Sequence, residues 1–254
     1  MPADLTEDAV LGGKLRFRQP ARGHRVGHDA ILLAAACPAR AGERVVDLGA
    51  GVGAAGLALA ARVGGVSVTL VEIDPDLAVL AKQNAERNGL AARVNAVSLD
   101  VAAPARSFAA AGLGPESVAR VLMNPPFNDP RRHRASPEAR RRLAHAGSSG
   151  TFALWVKVAA RLLRAHGTLT LIWRAEGLAE ILGELAPAFG GAAVLPVHGK
   201  PAEGAIRVLV RATKGSRAPL AILPGLILND QAGRPTPAAE AILRGGAALP
   251  LAEG

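Results

Sequence analysis

Short apolar runs alternate along the chain with stretches whose apolar positions recur at helical spacing, and few long gaps intervene, which is the mark of an α/β sheet. The runs predict strands at 44–48, 66–73, 93–99, 118–123, 167–173, 192–197 and 206–210. Helical spacing predicts helices at 29–36, 53–62, 76–87, 152–164 and 178–185. Asp74-Pro75-Asp76 offers an N-cap and a first-turn proline to the third of these, and Asn88-Gly89 a stop. Gly199, Pro201 and Gly204 fill the short link before the last strand, so the last two strands should form an antiparallel hairpin. The expected architecture is a Rossmann-like, seven-stranded, mostly parallel sheet with one antiparallel edge strand and helices on both faces. Beyond position 215 the chain is rich in Pro and Gly and holds one short helical reading at 238–243.

Composition narrows the class. Half of the 254 residues are apolar, enough to bury one substantial core. A single cysteine, Cys37, excludes an internal disulfide and makes no zinc site, and its place after an apolar run reads as a small buried hydrophobe. His24, His133, His145, His166 and His198 show no metal spacing, so no metal is expected. The acidic N-terminus lacks the basic and apolar regions of a signal peptide, and no apolar run approaches the roughly 20 residues of a membrane span. A cytoplasmic location without membrane contact is the expectation. The net charge of +9 is unevenly placed. Arg131, Arg132, Arg134, Arg140, Arg141 and Arg142 form one cluster, and Lys14, Arg16, Arg18, Arg22 and Arg25 another. Such runs are commonly solvated faces, but beside a substrate-holding turn they favour a phosphate backbone as partner.

That turn is Asn124-Pro125-Pro126-Phe127, directly after the run at 118–123. Two prolines forbid helix and ladder pairing there, so carbonyls are left facing the cleft beyond the strand. A planar substrate with an exocyclic amine needs two acceptors for its two hydrogens and a ring to stack on. The Asn124 side-chain oxygen, the Pro125 carbonyl and Phe127 supply that set. A plain turn-forming Asn-Pro-Pro is the bland alternative.

The first predicted strand runs into Asp47-Leu48-Gly49-Ala50-Gly51-Val52-Gly53, and Gly51 to Gly56 match the dinucleotide fingerprint. Glu72, about twenty residues on, can hold both hydroxyls of a ribose. Asp47 separates the cofactor classes: at the loop mouth it would repel a pyrophosphate, whereas S-adenosylmethionine presents an ammonium and a sulfonium there. Asp100 is then placed to accept from the cofactor's adenine amine. The bland reading makes all three acids helix caps.

Together Val46 to Gly53, Val71-Glu72-Ile73-Asp74, Ser98-Leu99-Asp100 and Asn124 to Phe127 resemble the class I S-adenosylmethionine-dependent methyltransferases, in their amino-methylating branch. Arg25-Val26-Gly27-His28-Asp29-Ala30-Ile31-Leu32-Leu33 further resembles the Gly-Thr-Asp-x-x-Leu-Leu stretch of the bacterial tRNA1(Val) adenine methyltransferases, the YfiC-like group, with His28 where that group has threonine. The resemblance covers about residues 11–211. It implies a cofactor set of Gly27, Asp29, Asp47, Gly49, Gly51, Gly53, Glu72, Ile73, Asp100, Val101 and Asn124, with Asn124, Pro125, Pro126 and Phe127 at the reacting amine. Asp29 is equally readable as a helix N-cap. The chain then divides into a substrate and cofactor approach at 1–40, a catalytic domain at 41–212 and a packed tail at 213–254.

The resulting expectation is methyl transfer to an exocyclic amine of RNA, the 6-amino group of adenine in tRNA being favoured and the six arginines from Arg131 to Arg142 holding phosphates. A glutamine amide of a translation factor and the 2-amino group of an rRNA guanine stand as alternatives within the same chemistry. A non-enzymatic RNA-binding module is the alternative outside it.

Overall fold

The structure, a computed structural model, describes residues 4–22, 25–126 and 148–253. Phe127, the cluster from Arg131 to Arg142, His24, His133 and His145 lie outside the described residues.

The strands are β1 (Leu5–Val10), β2 (Leu15–Pro20), β3 (Arg44–Leu48), β4 (Ser67–Glu72), β5 (Val94–Ser98), β6 (Val118–Met123), β7 (Leu163–Arg174), β8 (Phe189–His198), β9 (Ala205–Lys214), β10 (Ala221–Ile222) and β11 (Leu226–Ile227). The helices are α1 (His28–Ala36), α2 (Ala54–Arg62), α3 (Pro75–Arg87), α4 (Ala105–Ala110), α5 (Ser148–Leu162), α6 (Leu178–Leu185) and α7 (Pro237–Leu243). The main sheet runs β10-β8-β9-β7-β6-β3-β4-β5, with β11 also on β8. Strands β5, β4, β3, β6 and β7 are mutually parallel, and β9 is antiparallel to both β7 and β8.

The Rossmann-like class with an antiparallel hairpin at one side is as expected, and the two added short strands bring the sheet to nine. The reversed strand is β9, which lies inside β8, because β8 pairs outward with β10 and β11. Strand alternation splits the core into two layers. Val45 of β3 packs with α1, α2 and α3 on one face, and Val46 and Leu48 pack with α4, α5 and α6 on the other.

The start of α3 follows its sequence. Asp74 Oδ1 accepts from the amides of Asp76 (2.9 Å) and Leu77 (3.3 Å), and Pro75 opens the helix. A hairpin of β1 and β2 that hydrophobic pattern alone did not predict lies outside the main sheet. Its inner positions Leu15, Phe17 and Gln19 are buried while Arg16 and Arg18 alternate outward. The tail returns to α1, where the Leu249 amide donates to the Ala35 carbonyl at 2.9 Å. Cys37 is fully buried, and burial pushes its thiol up to about 11.

Candidate functional site

The parallel register sets the carboxyl ends of four neighbouring strands along one rim of the sheet. Leu48 pairs with both Val71 and Met123, and Glu72 pairs with Ser98. Gly49, Ile73, Asp100 and Asn124 follow these positions, so residues distant in sequence share the crevice where open α/β sheets bind ligands.

Backbone geometry explains the glycines of the loop after β3. Gly49, Gly51 and Gly53 all have left-handed φ, of 68°, 56° and 89°. A Cβ on Gly49 would stand 2.3 Å from Trp155 Cη2, and one on Gly53 2.8 Å from Leu70 Cδ1. A Cβ on Gly51 would meet nothing within 4 Å. That open side leaves room for a ligand to approach the loop's main chain.

Asp47 occupies a different place from the loop mouth where charge reasoning put it. It shares the α2 face with Val45, is 2% exposed, and its Oδ2 accepts from the Gly56 amide at 2.8 Å in the first turn of α2. Burial, and secondarily the nearby Glu72 charge, raises its carboxyl to about 7. Its direct role is therefore to tie the loop to α2.

Glu72 spans the rim. Its Oε2 accepts from the Gly51 amide (2.7 Å) and its Oε1 from the Asp74 amide (3.0 Å), so one carboxylate fixes the height of the glycine loop and the start of α3. Each oxygen keeps a lone pair for a hydroxyl. Next to it Ile73 is 51% exposed, an apolar surface at the rim that suits a flat ring. Asp100 is half-buried and its Oδ1 accepts from the Ala102 amide at 2.8 Å, while Val101 is buried beneath it. Of the three acids given the helix-cap alternative, Asp47 fits it, accepting from a first-turn amide of α2, whereas Glu72 and Asp100 accept from Gly51, Asp74 and Ala102, which lie outside helix interiors.

Asn124 leaves β6 half-buried, and its Oδ1 is buried with no hydrogen-bond partner among the described residues. An orphaned buried acceptor costs about 1–3 kcal/mol, so a donor is expected from beyond the described residues. Pro125 is buried and Pro126 exposed.

At the start of α1 the cap is Gly27, with no side-chain cap bond, so Asp29 is not the N-cap. Asp29 Oδ2 accepts from Arg207 Nε of β9 at 3.0 Å. The N-terminal basic cluster is partly neutralised. Arg25 pairs with Asp8 (2.6 Å), Arg16 lies 3.8 Å from Glu7, and Lys14 donates to the Gly245 carbonyl (2.8 Å). Three site-shaping residues were missed by sequence reasoning: Trp155, Asn84 and Arg207. The Asn84-x-x-x-Asn88 spacing on one helix face was the available signal for the second.

Among the described residues, no group of His, Cys, Asp or Glu could hold a metal, and no helix is long and apolar enough to cross a membrane.

The model of the methyltransferase small domain family matches residues 24–199. The chain is 34% identical over 152 residues to a tRNA1(Val) (adenine(37)-N6)-methyltransferase of Enterobacter sp., covering 58% of each. It is 32% identical over 164 residues to a release factor glutamine methyltransferase of Chlorobaculum tepidum, covering 61% of this chain and 54% of that one. The chain thus spans less than two thirds of these relatives' lengths. Among solved structures, one described as a predicted O-methyltransferase of Agrobacterium tumefaciens is 34% identical with a TM-score of 0.74, covering 87% of this chain and 98% of that one.

Proposed function

We propose that this chain, which belongs to the methyltransferase small domain family, transfers a methyl group from S-adenosylmethionine to an exocyclic amine of RNA, the 6-amino group of adenine in a tRNA. The observation that carries the amine is the orphaned Asn124 Oδ1 at the end of β6, on the same rim as the glycine loop and Glu72.

The residues present suit the cofactor. Gly51 leaves open space beside the loop, Glu72 keeps lone pairs for ribose hydroxyls, and Ile73 offers apolar surface for an adenine whose amine donates to Asp100, next to the buried Val101. Gly49 and Gly53 shape the loop's backbone, and Gly27 and Asp29 would join the site from the start of α1. Two acids at the rim, Glu72 and Asp100, favour a cationic ligand over a pyrophosphate. When bound, S-adenosylmethionine supplies an electrophilic methyl group on a positively charged sulfur.

The chain's own part is positioning and electrostatics. Asn124 Oδ1 and the Pro125 carbonyl accept the two amine hydrogens, which withdraws the nitrogen lone pair from the ring and aims it out of the plane. Pro126 stiffens the turn, and Phe127 stacks on the base, a contact worth about 1–3 kcal/mol in single-strand recognition. Asn124 is neutral and takes no proton, so the proton leaves to solvent after transfer. Arg131, Arg132, Arg134, Arg140, Arg141 and Arg142 hold phosphates at the approach. In this reading 1–40 guides substrate and cofactor, 41–212 is catalytic and 213–254 is a packed tail.

The reading is tested by incubating the protein and S-adenosylmethionine with unmodified tRNA and quantifying nucleosides by mass spectrometry. N6-methyladenosine is expected. Methylation of a release factor's glutamine without tRNA methylation, or 2′-O-methylation alone, overturns it; N2-methylguanosine keeps the chemistry and changes the base.

A further inference from the structure

The glycine loop is buttressed by a ring that the reaction chemistry does not call for. Trp155, on the second turn of α5, is 9% exposed and lies against the Cα of Gly49. The place a Gly49 Cβ would take is 2.3 Å from Cη2, 3.0 Å from Cζ3 and 3.5 Å from Cζ2 of its indole. The benzo edge of the ring therefore fills the volume that any other residue's side chain would need. Gly49 stands at left-handed φ and is followed by Gly51 and Gly53 in the same region, so this stretch has little stiffness of its own. On its other side the loop is held by Val52 in the core and by polar bonds from Gly51 to Glu72, from Gly56 to Asp47 and from Asn84 to the Val52 carbonyl, none of which touches Gly49. Helix α5 begins just after the segment that carries Phe127 and the six arginines.

From this geometry we infer that Trp155 is a positioning residue: its indole sets the lateral position of the cofactor loop against the substrate side of the cleft. The inference rests on the proposed S-adenosylmethionine site. Its physical basis is that a donor seated on the loop moves with the loop, and a misplacement of about 1 Å costs roughly a hundredfold in rate. Without the ring, Gly49 would face a void on that flank, and the segment before Val52 would lose the apolar wall that faces it.

The chain holds two tryptophans, so intrinsic emission reports on Trp155 with one other contributor, Trp173. Titration of the wild type with S-adenosylhomocysteine should change the emission saturably, with the dissociation constant that calorimetry gives. In Trp155→Phe the emission response should vanish while calorimetry still registers binding. Trp155→Leu should lose about tenfold in cofactor affinity and more in kcat, with Trp155→Phe between it and the wild type and KM for tRNA unchanged. No calorimetric binding of S-adenosylhomocysteine by the wild type would overturn the cofactor reading itself. Binding with unaltered wild-type emission, or with the full response retained in Trp155→Phe, would overturn the role of Trp155 alone. The wild-type titration decides even if the leucine variant does not fold.

Discussion

The side-chain amide of Asn84 reaches the carbonyl of Val52 at 3.1 Å and so ties the last turn of α3 to the cofactor loop. The same side chain pairs with the main chain of β2: its Oδ1 accepts from the Arg18 amide (2.8 Å) and its Nδ2 donates to the Arg18 carbonyl (3.0 Å). One turn on, Asn88 does the same for Arg16, with an Oδ1 contact of 2.9 Å and an Nδ2 contact of 2.8 Å. Two asparagines four apart thus stand in for a neighbouring strand at the hairpin's edge, which also protects that edge from other pairing.

Asn84→Ala should therefore destabilise the protein by about 2–3 kcal/mol, because it orphans the Arg18 main chain and the Val52 carbonyl in a fully buried place. Asn88→Ala, half-buried, should cost less. Chemical denaturation measures both, and amide exchange should show β2 opening first. Equal, negligible losses in the two variants would contradict this account of how the hairpin docks.

Glu72 holds the loop and offers its remaining lone pairs to the ribose, so Glu72→Gln removes a charged acceptor from both tasks. Charge-assisted bonds are worth about 1.5–3 kcal/mol, and the affinity for S-adenosylhomocysteine should fall by at least about tenfold. Calorimetry reads this directly. An unchanged dissociation constant would mean the cofactor binds elsewhere.

In the proposed reading, the Asn124 Oδ1, which has no partner among the described residues, accepts from the substrate amine. Asn124→Ala should leave cofactor affinity nearly intact and slow methyl transfer by about a hundredfold, the usual loss for one preorganised transition-state bond. Single-turnover rates with tRNA distinguish this from a binding defect. Near wild-type turnover would remove Asn124 from the mechanism.

The strand ends were legible because apolar runs mark buried parallel strands and the acids or Asn124 follow them directly. What escaped was contact across long sequence separation: Trp155 lies more than a hundred residues from Gly49, and Arg207 still further from Asp29. The β1–β2 hairpin escaped because Glu7, Asp8, Arg16 and Arg18 interrupt its apolar positions, although the alternation Leu15, Phe17, Gln19 after Gly12-Gly13 carried a period of two. Asp47 was found for its chemistry and misplaced in space. Counting alternation from Val45 puts it on the α2 face, under the loop and away from its mouth.

Asp47 carries a prediction whose sign is opposite to that of most carboxylates. Burial first, and the Glu72 charge after the opposing Gly56 bond, raise its folded pKa from 3.8 to about 7. The folded protein then holds the proton more tightly than the unfolded chain, so stability falls as pH rises. The cost is absent below about 3.8, grows across the interval, and is complete above about 7. Asp47→Asn keeps an oxygen for the Gly56 amide and has nothing to ionise, so its melting temperature minus that of the wild type should climb from pH 4 to 7 and then level off. The difference between variants cancels every other titrating group, and any constant cost of the amide only offsets the curve. A gap that stays flat with pH, or narrows as pH rises, would show that the Asp47 carboxyl is ionised throughout and held by more donors than the Gly56 amide alone.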